Sequence, residues 1–237
     1  MRLPVEYVET RKKYVLFKND CGVTDITRKG GVYEHYIFDW IRQKLDVKGK
    51  TILDIGANFG FHTLEFADLV ENGQVSSFEP QKLVYYQLCG NVILNGYGNV
   101  TTYNVALSDY SEVTRLKMEN LQYYSEETIN IGNAHLNAFT DNGYNWVDVK
   151  PLDSYFFENV AVIKIDVQGY EPKVLDGAVE TIRNNKPVIF IEVEEPQLAI
   201  YGYTKENVFA RLESMNYEVQ KVIDAQHLVD YVAIPKK

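Results

Sequence analysis

The sequence predicts an α/β protein, a mostly parallel sheet covered by helices on both faces and closed at one edge by an antiparallel hairpin. Three observations carry this. From Thr51 onward, short apolar runs alternate with amphipathic stretches; the first run breaks into a glycine turn that leads into a helix; and the last two runs are separated only by a short polar turn. Strands that alternate with helices pair in parallel, because each crossover helix packs back onto the sheet.

In order, Val5 to Val8 and Tyr14 to Lys18 read as two short strands around a charged turn, and an amphipathic helix follows Gly30-Gly31 as VYEHYIFDWIRQKL, 32–45. Residues 1–48 thus form an N-terminal cap on the regular part of what reads as one domain, 1–237. The spacing then predicts strands at 51–55, 74–79 and 100–106 with helices at 60–71 and 81–95 between them. A second half repeats the pattern, with strands at 161–166 and 187–194 and helices at 171–184 and 204–215. Tyr217 to Val222 and Leu228 to Ile234 make the closing hairpin. Between the halves, 118–146 has neither a helical nor a strand period; such an insertion in a compact domain reads as a lid or binding loop over a substrate.

Composition narrows the function. The chain has 237 residues, of which 46% are hydrophobic and 24% charged, so it can bury a core without disulfides or metal. A formal charge of −9 argues against a broad nucleic-acid face, which needs Lys and Arg for phosphates. Arg11-Lys12-Lys13 is one short basic cluster and reads as a solvated charged turn or edge strand. Cys21 and Cys89 have no metal-ligand spacing and read as reduced thiols. No secretory signal or membrane-spanning segment appears, which predicts a cytoplasmic chain with no membrane partner. Homo-oligomerisation is left open.

The stretch TILDIGANFGFHT, 51–63, has the strand, turn and helix of a dinucleotide site. It lacks the second glycine of G-x-G-x-x-G, which lets the backbone approach a pyrophosphate, because Asn58 stands there. The turn therefore suits a nucleoside ligand without phosphates, and a nicotinamide-dependent oxidoreductase is disfavoured. Glu79, before Pro80 at the carboxyl end of the second strand, is placed to accept hydrogen bonds from a ribose diol. Asp54, Asp166, Glu192 and Glu194 gather at the same end of the sheet. That acidity suits a cationic ligand such as a sulfonium.

These residues resemble the S-adenosylmethionine-dependent methyltransferases of the Rossmann-like class, and specifically the FkbM family. The match rests on TILDIGANFGFHTL (51–64), SSFEP (76–80), VALSD (105–109) and PLDSYFFENVAVIKIDVQGYEPKVLDGA (151–178). The resemblance implies a seven-stranded, mostly parallel sheet with an antiparallel C-terminal strand. It also implies that Asp54, Gly56, Ala57, Asn58 and Gly60 line the methionine end of the cofactor, and that Glu79 and Pro80 hold the ribose. Ala106, Leu107 and Ser108 would flank adenine, with Asp109 beyond them, and Asp166 would sit beside the transferred methyl. Family members mostly methylate hydroxyls of sugars and secondary metabolites, so the implied activity is O-methylation of a glycan or small-molecule hydroxyl. Gln168 departs from the Glu that the family commonly carries there.

A hydroxyl acceptor needs a base or a metal to take its proton. Asp166 is the leading candidate, with Lys164 on the same strand face, and His135 in the insertion and Glu194 are further candidates. Glu192 and Glu194 could contact the acceptor, ligate a metal with Asp166, or be solvated strand-end charges. His62 reads as a packed helix histidine, and Glu34 is a weaker acid candidate. Tyr123, Tyr124, Tyr144 and Trp146 could stack on sugar faces or pin the insertion to its own domain. Two alternatives remain: an RNA ribose 2'-O-methyltransferase, and a cofactor-binding module without catalysis.

Overall fold

A computed structural model gives the fold and describes residues 3–117, 130–132, 135–136, 144–222 and 230–237. The chain opens with an antiparallel hairpin of β1 (Val5–Glu9) and β2 (Lys13–Phe17), then α1 (Val23–Arg28) and α2 (His35–Lys44). Helix α1 has no apolar period to announce it. Helix α2 is shorter than its amphipathic pattern, since Glu34 lies in the left-handed region at φ 48 and Leu45 is extended.

The regular part follows as β3 (Thr51–Ile55), α3 (Phe61–Leu69), β4 (Gln74–Phe78), α4 (Lys82–Leu94) and β5 (Val100–Tyr103). The strand expected over 100–106 is broken at Asn104. The Asn104 side-chain amide donates to the carbonyls of Glu79 at 2.8 Å and Pro80 at 3.0 Å, which turns the chain out of the main sheet. Beyond it, β6 (Val105–Leu107) joins a second sheet with β7 (Glu112–Lys117), β8 (His135–Leu136) and β9 (Tyr144–Lys150), in the order β6-β9-β7-β8. This corrects the expectation of an irregular 118–146, because its described portions at 135–136 and 144–146 are strand. Tyr123 and Tyr124 lie outside the described residues.

The second half contains β10 (Val160–Ile165), α5 (Glu171–Asp176), α6 (Val179–Asn185), β11 (Val188–Glu192), α7 (Glu195–Ile200), α8 (Lys205–Ser214), β12 (Tyr217–Lys221) and β13 (Asp230–Pro235). The single helix expected over 171–184 is two, broken at Gly177 and Ala178, with the Asp153 carboxylate accepting from the Glu180 and Thr181 N–H groups at the start of the second. Helix α8 starts at a reciprocal capping box between Thr204 and Asn207.

The main sheet has seven strands in the order β5-β4-β3-β10-β11-β13-β12, parallel except for β13, which runs antiparallel to both its neighbours. Side chains alternate across it. Leu53, Ile55, Ile163, Ile165, Ile189 and Ile191 pack against α5, α6 and α8, while Ile52, Val75, Val162, Val188 and Phe190 pack against α2, α3 and α4. Strand order reverses between β3 and β10, and such a switch point opens a crevice at the carboxyl ends of the strands. No helix among the described residues is long and apolar enough to cross a membrane.

The basic cluster lies in the hairpin turn and at the start of β2, where Arg11 and Lys13 are exposed as a charged turn or edge strand would have them, but Lys12 is not solvated. Lys12 is buried, and its ammonium donates to the Leu64 carbonyl at 3.2 Å, Asp68 at 2.6 Å and the Tyr97 hydroxyl at 2.5 Å. Arg11 pairs with buried Glu65. The two residues rivet the N-terminal hairpin to α3 and to the segment after α4.

Candidate active site

A cleft of about 290 Å³ lies at the switch point, over the carboxyl ends of β3, β4, β10 and β11. Its floor begins where β3 ends. The Gly56 and Ala57 N–H groups both donate to the Phe78 carbonyl at 3.0 Å, bending the chain over the end of β4. Gly56 has φ 83, and a Cβ there would lie 1.8 Å from the Asp166 carbonyl oxygen, so no other residue fits. Asn58 adopts φ 50, the left-handed region that Asn tolerates best after glycine, and its side-chain oxygen accepts from the Phe59 N–H at 2.8 Å.

Glu79 is buried beside this turn and ties it to β4. One carboxylate oxygen accepts from the Asn58 N–H at 2.9 Å, the other from the Gln81 N–H at 2.7 Å. Burial pushes the Glu79 carboxyl up to about 7, against the two N–H donors that favour its charged form. Gln81 in turn donates to the Ile131 carbonyl at 3.0 Å, joining the first half of the sheet to the segment above the cleft.

The opposite wall holds a network of acids around one ammonium. Lys164 and Asp54 are cross-strand neighbours, and both are buried. Asp166 keeps 23% of its side chain exposed and sits 3.1 Å from the Lys164 ammonium. Burial alone would raise the Asp166 carboxyl, but Lys164 and donors around it bring it down to about 2. Gln168 bridges Asp166 at 2.9 Å and Glu192 at 3.0 Å. Glu192 is held well above the usual carboxylate range by burial and by the Asp166 charge. Asp54, its carboxyl raised by burial, accepts from Thr63 at 2.5 Å, and Thr63 lies 2.9 Å from Ser77.

The expected residues fall into two groups. Gly56, Ala57, Asn58, Glu79, Pro80, Ala106, Leu107, Asp166, Glu192 and Glu194 line the cleft. Asp54, Gly60, Ser108 and Lys164 do not. Asp54 turns to Thr63, Gly60 packs on Leu88, Ser108 bonds Asp109 and the Tyr170 hydroxyl, and Lys164 lies beneath Asp166. These four act from behind the wall, since Asp54 and Lys164 lie one step further from the strand ends than the residues that reach the cleft. His135 contributes the backbone of β8, and its side chain lies outside the described residues, as does that of Tyr144. Trp146 stands away from the cleft under the Arg115 guanidinium, 5.4 Å from its ring.

His62, read as packed, does both: it is buried among Phe38, Phe61 and Phe66, yet lines the cleft. Its Nε2 is 2.8 Å from Glu34 Oε2, an ion pair when the ring is protonated, although the two are not aligned as a hydrogen bond. Tyr33, Tyr170, Gln197 and Tyr201 also line the cleft. None carries a sequence signal, because each is delivered by an irregular segment or a helix end.

Among the described residues the carboxylates that converge within 4.8 Å are Glu34, Glu192 and Asp230, without Asp166 or Glu194. That set already has partners within the protein: His62 beside Glu34, Gln168 on Glu192 and the Tyr36 hydroxyl on Asp230, with the Lys164 ammonium among them. It does not fit a further cation.

Comparison with known proteins adds to this. The family model described as the methyltransferase FkbM domain matches residues 54–219. No curated protein matches. Among solved structures, methyltransferase FkbM from Methylobacillus flagellatus superposes with a TM-score of 0.53 at 15% identity, over 78% of this chain and 43% of that one. This chain thus spans less than half the length of that protein. A putative rRNA-methylase from Clostridium thermocellum gives a TM-score of 0.51 at 15% identity, over 84% of this chain and 92% of that one. Both likenesses are of fold.

Proposed function

This chain belongs to the FkbM methyltransferase family, and on that premise we propose that it methylates a hydroxyl of a sugar, glycan or small metabolite, with S-adenosylmethionine as donor. The single observation that carries this is the charge of the cleft. Among the described residues its lining carries His62, Glu79, Asp166, Glu192 and Glu194 beside three tyrosines, with no Lys or Arg. Residues 118–143 and 223–229 contain no Lys or Arg either. A lining of this kind suits a cationic, phosphate-free nucleoside and an acceptor without phosphate. It weighs against the RNA ribose reading, which needs cations along the backbone path.

The residues present fit the cofactor. Glu79 has lone pairs left for a ribose diol, Gly56 to Asn58 offer backbone to the methionine end, and Pro80, Ala106 and Leu107 offer an apolar wall to adenine. When bound, S-adenosylmethionine supplies a methyl group activated on a sulfonium. Asp166, held ionised beside Lys164, faces that positive charge and fixes where it sits. Alignment in a dry cleft is the larger part of such catalysis. Because Lys164 and Gln168 stabilise its charge, Asp166 takes up a proton poorly. Glu192, its proton affinity raised, keeps its proton and can donate a hydrogen bond to the acceptor oxygen, which leaves Glu194 at the mouth as the carboxylate to take the acceptor's proton.

The test is incubation with S-adenosylmethionine and matched panels of neutral sugars, glycans, sugar phosphates and short RNAs, read by mass spectrometry for one added methyl group. Neutral sugars or glycans should gain it. Methylation of RNA alone would replace this reading, and no transfer to any acceptor, with cofactor bound, would favour a binding module without catalysis.

A further inference from the structure

Gln168 stands at φ 55, two residues after Asp166, and its side chain reaches back across the ends of β10 and β11. Its one amide nitrogen donates to Asp166 Oδ1 at 2.9 Å and to Glu192 Oε2 at 3.0 Å. A primary amide nitrogen carries two protons, so both are used; a hydroxyl has one and an ionised carboxylate none. No other residue of this length and neutral charge makes the same bridge.

The loop beneath is built to hold that side chain still. The Val167 and Gly169 N–H groups both donate to buried Glu171 Oε1 at 3.1 Å. Gly169 has φ 95 and lies so close to α7 that a Cβ would be 2.2 Å from the Gln197 carbonyl oxygen. Other charged groups press on the bridged pair from the elements packed around it: Lys164 on β10, Asp54 on β3, Glu79 after β4, Glu171 on α5, Asp230 on β13, Glu34 before α2 and His62 on α3, with Tyr33 and Tyr36 beside Glu34. With one buried ammonium among so many carboxylates, two touching acids cannot both stay ionised.

We propose that Gln168 is a positioning residue of methyl transfer: its amide clamps Asp166 and Glu192 into one unit that holds a single negative charge and a single exchangeable proton. Asp166 keeps the charge and Glu192 keeps the proton site, because Lys164 is in contact with Asp166. The clamp thus separates two tasks that isolated carboxylates in this place would share: Asp166 is the fixed charge for the sulfonium, and Glu192, holding the proton, is the hydrogen-bond donor for the acceptor oxygen. The donor task rests on the function proposed above; the clamp itself is tested without any acceptor.

The experiment is side-chain carboxyl 13C NMR of the full chain across neutral pH, with signals assigned by Asp166→Asn and Glu192→Gln. Gln168→Met keeps the volume and removes both donors. The midpoint of proton loss from the Asp166–Glu192 unit should rise by about one pH unit or more, since two hydrogen bonds to the charged form are lost. Gln168→Glu should take up one further proton at neutral pH. Gln168→Asn, too short to reach both acids, is the second variant should Gln168→Met not fold, and should move the midpoint in the same direction. Titrations that superimpose on wild type overturn the clamp, even if transfer to a hydroxyl is found. A shifted midpoint with no transfer to any acceptor leaves the clamp standing and overturns the catalytic reading instead.

Discussion

Replacing Glu79 by Gln should separate ligand binding from stability. The carboxyl rises from 4.5 to about 7 on folding, chiefly through burial, a gap worth about 3 kcal/mol. A raised carboxyl contributes stability that is fully present below its unfolded value and lost as pH rises through 7. At pH 8 the wild-type protein lacks that contribution, whereas Gln, which never ionises, escapes the loss. Against this, the new amide must turn its NH2 toward the N–H of Asn58 or Gln81, leaving donors face to face at a cost of about 1–3 kcal/mol. The two effects nearly cancel, so the melting temperature at pH 8 should move by no more than a few degrees. Binding has no such compensation. A charged acceptor for two ribose hydroxyls is replaced by a weaker neutral one, at about 1.5 kcal/mol or more, or roughly tenfold or more in Kd. Calorimetric titration with S-adenosylhomocysteine at pH 8, paired with thermal melts of the free protein, reads both. Unchanged affinity refutes the ribose assignment, and a fall of more than about 10 °C means that Glu79 serves the fold.

Asp166→Asn should weaken S-adenosylmethionine roughly tenfold more than its uncharged product, because only the former carries a sulfonium; equal losses in paired titrations would remove Asp166 from that charge. The same carboxyl, lowered from 3.8 to about 2 by Lys164 and its donors against burial, gives about 2 kcal/mol of stability above its unfolded value. That contribution is lost as pH falls through 2, so acid unfolding of the variant should show a shallower pH dependence there. Gly56→Ala should cost more than about 3 kcal/mol, since its Cβ meets the Asp166 carbonyl at 1.8 Å with φ 83; a melt like wild type refutes the close approach. Lys12→Met should destabilise by about 2 kcal/mol through the Leu64, Asp68 and Tyr97 acceptors it abandons, with product affinity unchanged.

The alternating half of the chain was legible from sequence because period and length agree there. The seven-strand order with one antiparallel strand agrees with what the resemblance implied. What escaped was set by tertiary contacts. Asn104 breaks a strand because its amide is claimed by two carbonyls of another loop, and a second helix restarts after Gly177 where Asp153, distant in sequence, accepts from its first N–H groups. The second sheet pairs β6 in parallel with β9, over forty residues away, a partnership no local pattern announces. At the site, the strand ends and glycine turn were readable, since topology alone brings them together. Depth was not. Asp54 and Lys164 share the carboxyl end of the sheet with Asp166, yet they face into the layer beneath α3, and only side-chain packing reveals it.

Strand β12 touches the main sheet only through β13, which comes later in the chain and slots between β12 and β11. Synthesis from the N-terminus therefore delivers the outermost strand before the one that must sit inside it. A nascent chain that has emerged only as far as residue 221 presents β11 with a bare edge, and β12 with no strand to pair with. Asp230, at the start of the late strand, pairs with Glu192 in the strand register and reaches the acid network only when that gap is filled. Assembly of the acidic wall of the cleft thus waits on the last step of sheet closure, and ribosomal pausing between 221 and 235 is the point at which the emerging protein is most exposed to edge-to-edge association.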